Sequence, residues 1–334
     1  MHTLTVLILN YNQPELTIEC FLHNSRHVNL NSWIVVDNGS DSRNVGVLLD
    51  FARENHWCII NYGEKGIDSW NDLSIIASGS QNYLILIPEN LGYAKGNNIG
   101  LEFIQHVLHS EYVLVMNNDV FWDDDIIQPL LKGFSCGDDI FAVVPQVIEP
   151  SGEYQNPQFL PEFIKLKQVI YRLLFPFSIA IFRASGPKYR YQDQADSLSM
   201  KGNETVRMNL NKYCFIGCFF LADMVKFEEI GFFDPGTFLG TEEPRIIHKI
   251  REKGYQVIIF PGIFIRHMKG ESCRRMHERK TIIEKFDRSD IDYLEKYCHF
   301  NRVQIGLIKL GSWYFRALWV PLLSKIQKGS SKSP

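Results

Sequence analysis

The stretch YVLVMNNDVFWDDD, residues 112–125, is an apolar run that stops abruptly on two asparagines and the carboxylate of Asp119. Its apolar part, residues 113–116, has the length of a buried strand. One interpretation is a strand that reaches the surface in a polar turn. The other is a strand that mounts a metal ligand, because hard divalent cations such as Mg²⁺ and Mn²⁺ prefer oxygen ligands. The acids at 123–125 are better explained as the start of the next helix, where carboxylates interact favourably with the helix dipole.

Short apolar runs alternate with helical patterns along most of the chain. Buried parallel strands appear in a sequence as continuous apolar runs rather than as alternating ones. The pattern therefore predicts an α/β fold with a mixed, mostly parallel sheet and helices on both faces. The candidate strands lie at residues 4–9, 33–36, 58–60, 83–87, 113–116, 141–144, 256–260 and 264–267, and helices are expected to begin at Pro14 and to cover 47–54, 101–108 and about 242–253.

Polar turns follow several of these strands, namely NYN at 10–12, DNGSD at 37–41 and NND at 117–119. In such sheets, ligands bind outside the carboxyl ends of the strands. Asp37 is suited either to hydrogen bonding with a base or ribose, or to starting an Asx turn. The segment NLGYAKGNNIG, residues 90–100, also has two interpretations, because its glycines suit either a turn or the close approach of a ligand to the backbone.

The segment FLGTEEPRIIHKIREKGYQV, residues 238–257, has the pattern of a helix with an acidic first turn. Thr241 is expected to cap this helix, and Glu242 and Glu243 suit its dipole. The functional interpretation is that the helix presents one carboxylate to a cleft as a general base. His267 follows a late strand and is consistent with a core histidine, a surface histidine or a metal ligand.

Composition narrows the classes of function. The 334 residues carry a net charge of −3, which does not favour nucleic acid as a partner. The chain has no GxGxxG after the first strand and no GxxxxGK[ST], so a dinucleotide-dependent dehydrogenase or a P-loop enzyme is not expected. Its seven scattered cysteines favour reduced thiols in a cytoplasmic protein. The first residues do not have the pattern of a signal peptide, and no apolar stretch reaches the roughly 20 residues of a membrane span.

The C-terminal part of the sequence is basic and aromatic. From residue 293 onward lysines and arginines alternate with aromatic residues, and the acids stop at Glu295. This pattern favours either a helix lying in the headgroup layer of an anionic membrane, or a helix packed on the catalytic domain or on a second subunit. The polar, basic segment within residues 157–211 is expected to be mobile or to face an acceptor.

Six segments form one ordered set: LTVLILNYNQ, IVVDNGSDS, NLGYAKGNNIG, VLVMNNDV, FFDPGTFLGTEEPRIIHKIREKGYQV and IRHMKGES. Together they resemble the inverting family-two glycosyltransferases with a GT-A fold, which include bacterial O-antigen and capsule sugar transferases of polysaccharide biosynthesis. The resemblance covers about residues 3–272. It implies a GT-A catalytic domain at 1–272, with a nucleotide-binding half at about 1–120 and an acceptor half at about 121–272. A helical C-terminal extension at 273–334 would follow.

The resemblance also implies roles for individual residues. The family's metal motif is commonly DxD and reads NND here at 117–119, which leaves Asp119 as the main metal carboxylate. His267 falls where some members place another metal ligand. The catalytic acid pair reads Glu242-Glu243, with Glu243 in the position of the base and Glu242 as the alternative. The donor is expected to be bound by Asn10, Asp37, Asn90, Gly92, Asn97 and Asn118, with Asp37 at the nucleotide base.

The implied reaction transfers one sugar, a hexose or a deoxyhexose, from a nucleoside-diphosphate sugar to a hydroxyl of a glycan or lipid-linked oligosaccharide. The transfer would invert the anomeric configuration and use Mn²⁺ or Mg²⁺ as cofactor. Two alternatives remain, a sugar-nucleotide nucleotidyltransferase and a non-catalytic glycan-binding homologue. A nucleotidyltransferase would normally show a glycine-rich, basic phosphate loop near the first strand, and NYNQPE has neither feature. The expected location is the cytoplasm, with peripheral contact on the inner face of the cell membrane.

Overall fold

The computed structural model describes residues 3–27, 32–63, 81–160, 205–268 and 279–314, together with residues 165, 169, 170, 173 and 317. Its strands are β1 (Leu4–Asn10), β2 (Ser32–Asn38), β3 (Cys58–Asn61), β4 (Asn82–Ile87), β5 (Tyr112–Asn117), β6 (Val120–Phe121), β7 (Ile140–Ile148), β8 (Gln158–Phe159), β9 (Val206–Arg207), β10 (Tyr213–Cys214), β11 (Phe219–Asp223) and β12 (Gln256–His267). Its helices are α1 (Pro14–Asn24), α2 (Ser42–Glu54), α3 (Tyr93–Phe103), α4 (Ile127–Leu131), α5 (Met224–Glu229), α6 (Glu242–Glu252), α7 (Arg279–Lys296) and α8 (Arg302–Tyr314).

Ten of these strands form one sheet in the order β3-β4-β2-β1-β5-β11-β7-β12-β6, with β9 paired to β12. Strands β3, β4, β2, β1 and β5 run parallel to one another. Strand β11 lies antiparallel between β5 and β7, while β12 is parallel to β7 and antiparallel to β6 and β9. The expected mixed, mostly parallel sheet is therefore confirmed.

The sheet is covered on both faces, which explains why its strands are continuous apolar runs. In β5, Val113 and Val115 belong to one hydrophobic core, whereas Leu114 and Met116 belong to the other. Successive side chains of a strand point to opposite faces, so an unbroken apolar run is buried only where helices cover both sides. Helix α3 contributes to the first core, and α1 and α2 contribute to the second.

The glycine-rich segment after β4 is helical, where the sequence predicted a turn before a later helix. Helix α3 already begins at Tyr93. A Cβ at Gly96 would lie 2.7 Å from Leu9 Cδ1, and one at Gly100 would lie 2.3 Å from Leu7 Cδ1. The two glycines therefore allow the helix to pack closely on β1, and their role is packing rather than contact with a ligand.

Several expected features differ from those observed, and helix α2, for example, begins at Ser42 rather than at residue 47. Helix α4 begins at Ile127, after the acids at 123–125 rather than with them. Thr241 has a φ of 68° and does not cap α6; its hydroxyl oxygen instead accepts a hydrogen bond from Arg245 Nε at 3.1 Å. The two late strands are one strand, β12, with an irregular register between residues 260 and 264.

Helix α7 is fastened to the sheet domain through the buried guanidinium of Arg245. Arg245 Nη1 donates to Asp234 Oδ2 at 3.0 Å and to Asp292 Oδ2 at 2.6 Å, and Nη2 donates to the Ser289 carbonyl at 2.7 Å. Since Asp292 and Ser289 both belong to α7, this arginine joins α6 to α7. Helix α7 is therefore packed on the preceding domain.

The expected helical C-terminal tail is present as α7 and α8. The basic and aromatic positions at 315, 316 and from 318 onward lie outside the described residues, as does most of the segment 157–211. In the portion of the chain that is described, no helix is long and apolar enough to cross a membrane.

Candidate active site

The polar residues predicted at the strand ends lie along one edge of the sheet. The register pairs Asn10 with Asp37 across β1 and β2, and Leu9 with Asn117 across β1 and β5. Strand β4 is parallel to β2, so the segment 88–92 that follows it reaches the same edge. The fold thus brings together the ends of four parallel strands, which is where ligands of such sheets bind.

Hydrogen bonds join Asp37, Asn10, Thr17 and Asn118 into one chain along this edge. Asn10 Nδ2 donates to Asp37 Oδ1 at 2.7 Å, and Asn10 Oδ1 accepts from the Thr17 hydroxyl at 2.7 Å. Asn118 Nδ2 donates to Thr17 Oγ1 at 3.0 Å. All four side chains are buried. Three of the predicted donor-binding residues are therefore coupled through Thr17.

The carboxylate of Asp37 is fully buried and organises the turn after β2. Besides Asn10, it accepts hydrogen bonds from Ser40, whose hydroxyl lies 2.6 Å from Oδ1 and whose backbone N–H lies 3.1 Å from Oδ2. Burial raises the pKa of Asp37, and the hydrogen bonds from Ser40 and Asn10 offset part of that effect. A nucleotide base would reach this carboxylate only if the turn moved.

The predicted donor-binding turn at Asn90 and Gly92 is fastened to Asn38. Asn38 Nδ2 lies 3.2 Å from Asn90 Oδ1 and 3.1 Å from the Gly92 carbonyl, and Asn38 Oδ1 accepts from Leu91 N–H at 3.0 Å. Gly92 has a φ of +87°, and a Cβ there would lie 2.4 Å from the Phe238 carbonyl oxygen. Glycine is therefore needed for the contact between this turn and the loop before α6.

Asn97 lies in α3, and its side chain is buried. Its Nδ2 donates to the Tyr93 carbonyl at 2.9 Å, whereas its Oδ1 has no hydrogen-bond partner among the residues described. Buried polar atoms are normally paired, so this oxygen is suited to accept a donor from a bound ligand or water.

Asp119 and His267, the two predicted metal ligands, lie side by side. The pairing of β6 with β12 places His267 opposite Val120, and the Met268 N–H donates to the Asp119 carbonyl at 2.9 Å. His267 Nε2 lies 3.2 Å from Asp119 Oδ1, and both side chains are buried. The backbone ladder therefore fixes how the two side chains meet.

The chemistry of this pair fits a cation. His267 Nδ1 lies 2.9 Å from Gln155 Oε1, so in the neutral ring the proton belongs on Nδ1. Nε2 and Asp119 Oδ1 then face each other as two acceptors, and no described residue donates a hydrogen bond to Asp119 Oδ1. Only a shared cation, a proton or a metal ion, makes that contact favourable. Neighbouring ligands of an octahedral Mg²⁺ with bonds of about 2.0–2.1 Å lie about 3 Å apart, close to the spacing of this pair.

The pair supplies two protein ligands. Across the described ranges, no group of three or more His, Cys, Asp or Glu side chains has the arrangement of a metal site. Magnesium and manganese sites that act on phosphates commonly use one or two carboxylates and take their other ligands from substrate and water. The residues present therefore fit a cation that is completed by a phosphate-containing ligand.

Glu242 opens α6 and carries a buried carboxyl group. Its Oε1 finds no hydrogen-bond partner within the described part of the chain. Burial, and next the charge of the neighbouring Glu243, raise the pKa of Glu242 to about 8. Glu242 is therefore mostly protonated at neutral pH.

Glu243 is half-buried and is held by the segment that precedes β11. Its Oε1 accepts from the Gly217 N–H at 3.2 Å, and the Gly217 carbonyl accepts from the Tyr93 hydroxyl at 2.9 Å. The neighbouring Cys218 carbonyl accepts from the Asn117 N–H at 2.9 Å. Residues 217 and 218 thus link Glu243 both to α3 and to the carboxyl end of β5, where the metal pair lies.

Four residues of this site carried no signal that singled them out in the sequence: Thr17, Asn38, Gln155 and Gly217. Asn38 could have been found, because it directly follows Asp37 in a polar strand end. The other three lie in segments without a recognisable motif, and only the fold brings them to the site.

No protein-family model matches this chain, and no curated protein matches it. Among solved structures, it is similar to GalNAc-T7 with UDP, GalNAc and Mn²⁺, at 16% identity and a TM-score of 0.53, over 80% of this chain and 44% of that chain. It is also similar to the mannosyltransferase PcManGT from Pyrobaculum calidifontis in complex with GDP-Man and Mn²⁺, at 13% identity and a TM-score of 0.50. That match covers 99% of this chain and 76% of that chain.

The first of these matches spans less than half of the GalNAc-T7 chain. At these identities the likeness concerns the fold. The chain therefore has the mixed α/β fold of the GT-A glycosyltransferases.

Proposed function

We propose that this chain is a glycosyltransferase that moves one sugar from a nucleoside-diphosphate sugar to an acceptor hydroxyl. The observation that carries the proposal is the pair formed by Asp119 and His267, which face each other 3.2 Å apart at the carboxyl edge of a GT-A sheet. Two solved structures of the same fold support it, because one holds GDP-Man and Mn²⁺ and the other holds UDP, GalNAc and Mn²⁺.

A divalent cation, Mn²⁺ or Mg²⁺, would be held by Asp119 Oδ1 and His267 Nε2. When bound, it supplies positive charge that stabilises the negative charge developing on the diphosphate leaving group. Donor binding remains assigned as predicted, and its most specific structural support is Asn97 Oδ1, which has no hydrogen-bond partner in the described part of the chain. The residues proposed for it are Asn10, Asp37, Asn90, Gly92, Asn97 and Asn118.

The general base is assigned to Glu243 rather than Glu242. A base has to be ionised before the reaction, and Glu242, whose pKa is about 8, mostly carries a proton at neutral pH. Glu243 is more exposed, and the Gly217 N–H holds its carboxylate from the protein side. This leaves the second oxygen of Glu243 as the atom that meets the acceptor hydroxyl.

The proposed reaction is a single displacement. The acceptor oxygen attacks the anomeric carbon while the bond from that carbon to the diphosphate breaks, and the hydroxyl proton passes to Glu243. A carboxylate is too weak a base to deprotonate a sugar hydroxyl in advance, so the proton moves as the new bond forms. One displacement inverts the anomeric configuration.

The sugar is proposed to be a hexose or deoxyhexose, and the acceptor a glycan or lipid-linked oligosaccharide of bacterial polysaccharide biosynthesis, such as O-antigen. These details rest on the resemblance of the six sequence segments. The same resemblance supports residues 1–272 as the catalytic domain, divided near residue 120, and residues 273–334 as an extension. The segment 157–211, predicted to face the acceptor, lies mostly outside the described residues.

The outer face of α8 supports peripheral contact with a membrane on the cytoplasmic side. Val303, Leu310 and Trp313 expose 72%, 54% and 60% of their surface, whereas Ile305 and Ile308 of the same helix are buried. No acid follows residue 295 in the sequence, and the helix also carries Arg302 and Lys309. Aromatic and apolar groups beside basic ones suit an anionic headgroup layer, where a lipid-linked acceptor would be found.

A panel of UDP-, GDP- and dTDP-sugars, titrated with Mn²⁺ present, tests the proposal. One nucleotide class is expected to bind, and a radiolabelled donor of that class should yield a labelled glycan and free nucleoside diphosphate. Pyrophosphate release from a nucleoside triphosphate and a sugar phosphate would show a nucleotidyltransferase instead. Glycan binding without affinity for any donor would show a non-catalytic module.

A further inference from the structure

A hairpin at the end of β7 carries a buried glutamine, Gln155, to the metal pair. The Gln155 N–H donates to the Val147 carbonyl at 2.8 Å, and the Glu149 N–H donates to the Glu153 carbonyl at 2.9 Å. Strand β7 runs parallel to β12 at this point, so the hairpin lies directly beside His267. The proposed function gives no role to Gln155 or Glu149, and neither residue belongs to a motif.

Three side chains form a relay that ends on His267. Gln155 Nε2 donates a short hydrogen bond to Glu149 Oε1, and Gln155 Oε1 lies 2.9 Å from His267 Nδ1. Gln155 and His267 are only 4% and 6% exposed, so water does not compete for these groups. The relay therefore determines the surroundings of the ring nitrogen that points away from Asp119.

The carboxylate at the start of the relay decides the direction of every bond in it. A carboxylate only accepts hydrogen bonds, so Glu149 must face the NH₂ group of Gln155 and not its oxygen. The amide oxygen then faces His267 Nδ1, and this nitrogen has to carry a hydrogen. In the neutral ring, the lone pair on Nε2 is consequently directed at Asp119 Oδ1.

We propose that Gln155, oriented by Glu149, is a positioning residue that holds His267 in the Nδ1–H tautomer and presents its Nε2 lone pair to a divalent cation. The inference rests on the metal role of His267 in the proposed function. It extends that function by adding two residues that do not touch the cation. Hydrogen-bond partners of metal-bound histidines typically change metal affinity by 10- to 100-fold.

The test compares Gln155→Leu with a matched variant of the same hairpin. Gln146 is also buried, but its Oε1 accepts from the Val147 and Asn156 N–H groups, at 3.0 and 3.1 Å, and not from His267. Gln146→Leu therefore removes a buried glutamine of equal size without breaking the relay. Glu149→Gln is a third variant, because an amide at this position no longer dictates which end of Gln155 faces the histidine.

Two measurements on the full-length protein decide the inference. Nitrogen-15 NMR of the metal-free protein, at a pH where the ring is neutral, is expected to show His267 as the Nδ1–H tautomer in the wild type and in Gln146→Leu. Gln155→Leu and Glu149→Gln should show a mixture of tautomers. Titration with Mn²⁺ alone, followed by electron paramagnetic resonance, should give a Kd raised 10- to 100-fold by Gln155→Leu and unchanged by Gln146→Leu.

The inference and the proposed function fail in different ways. An Nε2–H tautomer in the wild type overturns the inference, regardless of the measured affinity for Mn²⁺. Unchanged Mn²⁺ affinity in a folded Gln155→Leu variant also overturns it. If Gln155→Leu does not fold, the wild-type tautomer and the Mn²⁺ affinity of Glu149→Gln still decide it. A wild-type protein with the Nδ1–H tautomer but no affinity for Mn²⁺, either alone or with a nucleoside diphosphate present, overturns the metal role in the proposed function and leaves the tautomer assignment standing.

Discussion

Asp119 Oδ1 and His267 Nε2 lie 3.2 Å apart at the end of the ladder between β6 and β12. The contact is set by backbone pairing, because Met268 N–H binds the Asp119 carbonyl and His267 pairs with Val120. Two acceptors held this close by the backbone repel each other unless a cation lies between them.

Asp119→Ala is expected to lower the affinity for Mn²⁺ and for the donor by at least about tenfold, because it removes the only carboxylate of the pair. Excess Mn²⁺ should restore donor binding only in part, as measured by calorimetry with and without the metal. Asp123→Ala, an exposed acid of the same stretch that pairs with Arg266, is the control and should bind both as the wild type does. Full activity of Asp119→Ala in excess chelator would remove the metal role.

Glu243→Gln is expected to lower the rate of transfer by about 10²- to 10⁴-fold, the usual effect of losing a general base. Donor affinity should stay near that of the wild type, because the base acts on the acceptor. The measurement is the initial rate of glycan formation together with a donor titration. Glu242→Gln is the comparison, and the assignment is wrong if Glu242→Gln is inactive while Glu243→Gln retains near-normal turnover.

Glu242→Gln should also change how stability depends on pH. The unfolded chain releases this proton near the ordinary pKa of 4.5, whereas the folded chain keeps it up to about pH 8. Between these values the folded state binds more protons than the unfolded state, so the contribution of Glu242 to stability falls as the pH rises. The glutamine of the variant does not titrate, so the variant does not lose this stability as the pH rises. The free energy of unfolding of Glu242→Gln relative to the wild type should therefore increase by about 2–4 kcal/mol between pH 5 and pH 8.

Urea unfolding at the two pH values measures this difference. Glu252→Gln, at an exposed position in the last turn of the same helix, is the control and should follow the wild type at both values. A constant difference between Glu242→Gln and the wild type from pH 5 to pH 8 would contradict the raised pKa.

Arg245→Met is expected to lower the free energy of unfolding by about 3–5 kcal/mol, because the buried carboxylate of Asp234 loses one of its two cationic partners and the hydrogen bonds from the guanidinium to α7 are lost. Burial pushes the pKa of Asp234 upward, but hydrogen bonds from Lys296 and Tyr297 and the charge of Arg245 outweigh it and hold that pKa well below its usual range. Asp292→Asn should cost less, about 1 kcal/mol, because that carboxylate is 45% exposed. Equal stability of Arg245→Met and the wild type in urea unfolding would show that this arginine does not fasten α7.

A triple change of Val303, Leu310 and Trp313 to serine should reduce co-sedimentation with anionic liposomes several-fold, because it removes the apolar face proposed to enter the headgroup layer. Donor binding should be unaltered. Val225→Ser changes an exposed apolar side chain on α5 and should bind liposomes as the wild type does. Equal sedimentation of the triple variant and the wild type would refute the membrane contact, and a loss of folding would instead show that this face packs on protein.

Much of the fold could be predicted from the sequence, because local patterns carry it. Runs such as residues 113–116 are apolar on both faces and are typical of a doubly covered strand, and Pro14 begins a helix as expected. The polar residues at the strand ends, Asn10, Asp37 and Asn118 among them, could also be predicted, because each follows a short apolar run. Patterns of this kind depend on neighbours in the sequence, and the sequence displays those neighbours directly.

The glycines show where local pattern was insufficient. In the sequence, Gly92, Gly96 and Gly100 were compatible with turn geometry or with the close approach of a ligand to the backbone. The outcome depended on distant residues, since Phe238, Leu9 and Leu7 occupy the space that a Cβ would need. Thr241 was expected to cap α6 for the same local reason, and the left-handed backbone of the loop prevented it.

By itself, the sequence determined the parallel strands, several of the helices and the polar residues that stand at the strand ends. Only the tertiary structure decided that Asp119 meets His267, that Glu242 is buried and Glu243 is not, and that Gln155 reaches the ring from the other side. Each of these relationships joins elements that are far apart in the chain. Their distances, burial and charge environment arise when the sheet forms, because only the packed core fixes which side chains face each other and which ones exclude water.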